Sequence, residues 1–103
     1  MTAEQIIAEI IEFLNSRLPP AQGGAGGNMG QPPYRGDLFK LFSEAYRYGY
    51  MDHGSQPYLS ADGLREILRA RWHNGTEEQR EGLIDKLCTM WEEWRYAWDN
   101  YPA

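Results

Sequence analysis

The 103-residue chain reads as an all-α protein, a small helical bundle with a three-helix core and a tethered N-terminal helix. Two observations predict this. Apolar residues recur at steps of three and four in four separate segments, the spacing of one face of an α-helix. Between those segments lie polar capping residues, glycines and prolines, the signals at which helices start and stop. A chain of this length has room for one domain and one modest core.

The first helix is predicted from Thr2 to Leu18. Thr2 can cap it, with Gln5 reaching back as a capping box. Ile7, Ile10, Ile11, Leu14 and Leu18 form its apolar stripe, and Glu4, Glu9 and Glu12 take the other side. Pro19-Pro20 ends it. Residues 19–36 are a Gly/Pro-rich linker, with little side chain to bury and much entropy to lose on ordering. Residues 37–103 then form the core domain.

Asp37 is the expected N-cap of a second helix that runs to about Tyr50, whose apolar residues cover more than half its circumference. Such a helix is contacted from two sides. Gly54 and Pro57 break the pattern, and Ser60 caps a third helix from Ala61 to about His73 with Leu64, Ile67, Leu68 and Trp72 inward. Asn74-Gly75 stops that helix. Thr76 starts a fourth with Gln79 completing a second capping box, and this helix continues to about Asn100.

Composition narrows the functional classes. A hydrophobic fraction of 42% and an aromatic fraction of 14% belong to a folded chain rather than a disordered one. The net charge of −5 disfavours loose attraction to nucleic-acid backbones. Cys88 is the lone cysteine, so no intrachain disulfide forms, and a reducing, cytoplasmic location is expected. The first thirteen residues interleave acidic and apolar side chains with no basic leader, which does not read as a signal peptide. No apolar run approaches the roughly 20 residues that span a bilayer, so no membrane association is expected.

Ile84, Leu87, Trp91, Trp94 and Trp98 follow one another at steps of 3, 4, 3 and 4. The stripe suits the core side of the last helix. Three tryptophans in eight residues nevertheless exceed what a core this small usually consumes, and tryptophan is favoured at binding hot spots. The isoleucine face of the first helix poses a similar question, because it must fold back on its own core or find another copy. Arg71 falls among Leu64, Ile67 and Leu68 on the helical wheel, where its stem can lie on the core or its guanidinium can anchor a partner's carboxylate or phosphate.

These features point to a non-enzymatic protein-interaction module: an adaptor, small assembly subunit or inhibitor. Its partner is a protein, and self-association is open to it. Ile7, Ile11, Arg71, Trp91, Trp94 and Trp98 are the contact candidates. The alternative is a nucleic-acid-binding regulator using the row Arg65, Arg69 and His73 on the outer face of helix 61–73. Asp62 and Glu66 flank that row, which also suits a solvated face.

No catalytic, cofactor or metal constellation is expected. Asp52 and His53 are adjacent and diverge on a turn, His73 has no ligand at metal spacing, and Cys88 has no local histidine to activate it. Residues 52–63 carry part of the spacing of an EF-hand calcium loop, with Asp52 at its first position. Gly54, Gln56 and Gly63 stand where oxygen ligands belong, and Pro57 where glycine belongs, so no ion is expected there. The glycine-rich linker lacks the Gly-Lys-Ser/Thr ending of a phosphate-binding loop, and Arg35-Gly36-Asp37 reads as a loop exit and helix cap.

Overall fold

Four α-helices and one 3₁₀ turn account for the apolar stripes in the computed structural model, which describes residues 2–19, 35–52, 54 and 58–99. No strand occurs among these residues. The helices are α1 (Ala3–Arg17), α2 (Phe39–Arg47), α3 (Ala61–Arg71) and α4 (Glu77–Asp99), and the turn Arg35–Leu38 precedes α2. Residues 20–34 of the linker lie outside the described residues, as do His53, Gln56 and Pro57 of the calcium-like loop.

Helix α1 starts as its sequence dictates. Gln5 N–H donates to Thr2 Oγ1 at 3.2 Å and Thr2 N–H to Gln5 Oε1 at 2.7 Å. Its buried face is Ile6, Ile7, Ile10, Leu14 and Leu18, while Ile11 is only partly buried at the edge. That face folds back on the same chain and joins one continuous core with residues of α2, α3 and α4.

Helix α2 is shorter than expected at both ends. Asp37 does not cap it: the carboxylate is bound by Arg17 of α1, and the residue sits inside the 3₁₀ turn. At the other end Gly49 takes a left-handed φ of +82°. Gly49 N–H then donates to Tyr46 O at 2.9 Å and Tyr50 N–H to Ala45 O at 2.9 Å, the paired bonds of a Schellman motif. The helix therefore stops at Arg47, and Tyr50 and Met51 of the following turn are buried in the core.

Ser60 caps α3 by accepting from Gly63 N–H at 3.0 Å. The helix ends at Arg71, two residues before the expected end, because Trp72 is already extended. That swing carries the indole against α1, where Nε1 donates to Asn15 Oδ1 at 2.9 Å. The same oxygen accepts from Asn74 Nδ2 at 2.7 Å, and Asn74 Nδ2 also donates to Leu18 O at 2.9 Å. Arg80 Nη1 donates to the carbonyls of His73, Asn74 and Gly75 at 3.2, 3.1 and 2.7 Å, closing the turn. Thr76 and Gln79 form the second capping box as the spacing requires.

Gly75 is the tightest point of this junction. Its φ is +64°, and a Cβ there would lie 2.7 Å from both Leu18 Cδ2 and Gln79 Oε1. Gly75→Ala is expected to lower stability by about 1–3 kcal/mol, from left-handed strain and overpacking together. Gly82→Ala, on an open stretch of α4 with nothing within 4 Å of the added carbon, should instead stabilise by about 0.5–1 kcal/mol. Urea unfolding of the two variants beside the parent checks both signs.

Candidate partner-binding surfaces

Two opposite flanks of α2 carry the features that distinguish this molecule's surface. On one flank α2 meets the C-terminal half of α4 through a ladder of rings spaced alike on both helices: Phe39, Phe42 and Tyr46 against Trp91, Trp94 and Trp98. The contacts are edge-to-face, with centroids 5.2 Å apart for Phe39–Trp94, 5.4 Å for Phe42–Trp91, 5.9 Å for Phe42–Trp94 and 5.5 Å for Tyr46–Trp98. Each such pair adds about 0.5–1.5 kcal/mol beyond simple burial.

The ladder begins inside the core and ends outside it. Trp91 is fully buried, and its Nε1 donates to Leu59 O at 2.8 Å. Trp94 is 9% exposed, and its buried Nε1 has no acceptor among the described residues. Trp98 is 45% exposed and stacks on Trp94 at 5.6 Å and 22°, while Phe39 is 57% exposed at the other edge of Trp94. Two of the three α4 tryptophans are thus consumed by the core, and the surplus indole surface is concentrated in Trp98. Phe39 is not one of the contact candidates that spacing picks out: the broad apolar circumference of α2 predicts contact from two sides, and the structure leaves this ring exposed.

On the other flank, residues of α1 and α2 line an open trough of about 500 Å³. Phe13, Leu38 and Leu41 give it an apolar lining, and Glu9, Glu12, Asp37 and Glu44 supply carboxylates against the single ammonium of Lys40. The guanidinium of Arg17 lies 5.1 Å from the Phe13 ring centroid while it binds Asp37, which fastens the end of α1 to the start of α2.

The remaining sequence candidates are placed as follows. Ile7 and Trp91 are inside the chain's own core and Ile11 packs at its margin, so in this conformation the isoleucine face offers little surface. Arg71 is exposed and forms a two-bonded pair with Glu4, at 2.6 and 3.1 Å, across the α1–α3 junction. Hydrogen bonding from Arg71, and then its charge, holds the Glu4 carboxyl below its usual range.

The basic row of α3 is also engaged. Arg65 pairs with Asp85 at 3.1 Å, and Arg69 grips both oxygens of Glu81 at 2.7 and 3.1 Å and reaches Glu66 at 3.1 Å. His73 Nε2 lies 2.9 Å from Ala70 O. Carboxylates of α4 therefore face the guanidiniums that a nucleic acid would need, which wheel geometry on α3 alone does not reveal.

No group of three or more His, Cys, Asp or Glu side chains among the described residues could hold a metal ion. Asp52 Oδ1 accepts from Gly54 N–H at 3.0 Å, a local turn contact. No helix among the described residues is long and apolar enough to cross a membrane. Cys88 is wholly enclosed.

Burial pushes the Cys88 thiol up from 9.0 to about 11. Native protein at pH 8 should therefore react with an aromatic disulfide reagent far more slowly than protein in guanidinium, which should release one equivalent; fast native reaction would contradict the burial. Because the folded thiol holds its proton more tightly, its contribution to stability is present below pH 9 and declines as pH rises towards 11. Cys88→Ala should lack that share of the alkaline loss in urea midpoints.

Compared with family models, curated proteins and solved structures, the chain matches none of them.

Proposed function

We propose that this chain is a non-enzymatic protein-interaction module of a reducing compartment, and that its contact surface is the outer end of the α2–α4 aromatic ladder. The observation that carries the reading is the exposure of Trp98 at 45% and of Phe39 at 57%, both packed on the Trp94 ring of the core. Large rings bury much area on binding and have few rotors to freeze. Trp98 is also held in advance by its stack on Trp94 and its edge contact with Tyr46, which lowers the ordering cost of association. The partner is a protein that offers apolar or aromatic side chains to this ledge, and a second copy of the chain meets the same requirement.

A photocrosslinking amino acid at position 98, introduced in cells of the natural source, tests this. Discrete protein adducts are expected from position 98, and Phe39→Ser should reduce them several-fold. The same probe at Thr89, exposed on the opposite side of α4, should not produce them. An identical adduct pattern from both positions, or none from position 98, would remove the reading.

A further inference from the structure

The distribution of carboxylates singles out the α1–α2 trough. Elsewhere most acidic side chains of the described residues have local compensation. Glu4, Glu66, Glu81, Asp85 and Glu92 each pair with an arginine of the chain. Asp62, Glu77 and Glu78 occupy the first turns of α3 and α4, where the helix dipole favours negative charge. Glu9, Glu12 and Glu44 have neither: they form no hydrogen bond or ion pair with a described residue through their side chains, and they lie away from helix starts. All three line the same trough, above the apolar surface of Phe13 and Leu41.

We propose that this trough is a docking site for an amphipathic helix of a partner protein, apolar on one side and flanked by lysine or arginine. The site is separate from the aromatic ledge and does not depend on it. The chemistry of the occupant follows from the lining. Phe13 and Leu41 call for apolar anchors, and Glu9 and Glu12 on one bank with Glu44 on the other call for cations on both flanks of those anchors. Lys40 is the lining's sole opposing charge.

The shape calls for a helix. The banks are themselves helices, and a third helix laid between two others packs its ridges into their grooves. The α1 bank runs from Glu9 to Ser16, which at 1.5 Å per residue is about 10 Å, or two turns of an occupant. Apolar anchors at i, i+3 or i+4, and i+7 fit that length. Burial of the anchors supplies affinity, and the carboxylates reject acidic helices and set the approach of basic ones.

The test uses the full chain and a display library of 16-residue helical peptides with randomised surface positions. Enriched peptides are expected to carry an apolar stripe with lysine or arginine beside it, and to perturb the Phe13 and Leu41 side-chain NMR signals. The triple variant Glu9→Gln, Glu12→Gln, Glu44→Gln removes charge from exposed and half-exposed positions without changing side-chain size. It should bind the selected peptides about tenfold more weakly, while Trp98→Ser should bind them as the parent does. Enrichment of acidic or non-amphipathic peptides, failure to enrich any, equal binding by the triple variant, or loss of binding in Trp98→Ser would each overturn the proposal. Because the ledge at Trp98 is probed separately, failure here leaves the outcome of the crosslinking experiment intact, and the converse holds.

Discussion

The docking of α1 on the end of α3 is the constraint from which the rest of the molecule follows. The isoleucine face supplies the driving force, since burying an aliphatic side chain of this size gains about 1.5–3 kcal/mol. It does not by itself choose an orientation. The choice is made by Asn15, whose carbonyl oxygen is shared by Trp72 Nε1 and Asn74 Nδ2. Were the helix displaced, a nearly buried indole N–H would lose its acceptor, at a cost of about 1–3 kcal/mol. Gly75 then permits the approach of Leu18, and Arg71–Glu4 and Arg17–Asp37 tie the helix to α3 and to the entrance of α2.

With α1 held there, both surface features of α2 follow from its position. One flank faces α1, and the trough opens there between residues of the two helices. The opposite flank faces α4, whose tryptophan stripe is longer than the core it serves. Helix α4 has 23 residues and α2 has nine, so α4 can continue after its neighbour has stopped. The Schellman turn at Gly49 therefore has a consequence beyond ending a helix. By halting α2 at Arg47, it leaves Trp98 with Tyr46 on one side and solvent on another.

Electrostatics divides the surface in the same way. Arg65 and Arg69 of α3 are held by carboxylates of α4, which stitches the two helices together across an exposed seam. Their net effect on stability is small, since such surface pairs typically contribute about 0–1 kcal/mol each. Their effect on recognition is larger, because the uncompensated negative charge is left beside α1 and α2. A partner approaching that side meets carboxylates over an apolar floor, and one approaching the end of α4 meets rings. The two faces favour different chemistry on the same small protein.

Sequence by itself determined the helical class, the two Thr–Gln capping boxes, the Ser60 cap and most of the core, because each depends on residues within a turn or two of one another. Residues such as Leu64, Leu68, Trp72, Leu87 and Trp91 could be assigned inward from spacing alone. Only tertiary structure decided that the isoleucine face is satisfied within one chain, that Asp37 serves Arg17 instead of a helix start, and that Arg65, Arg69 and Arg71 are bound to carboxylates far along the chain. It also decided which tryptophan is left outside and where unpaired acids meet an apolar trough. Periodicity reports the direction of a side chain about its own helix axis. It does not report what stands opposite, and that depends on how helices distant in sequence cross and where each one stops.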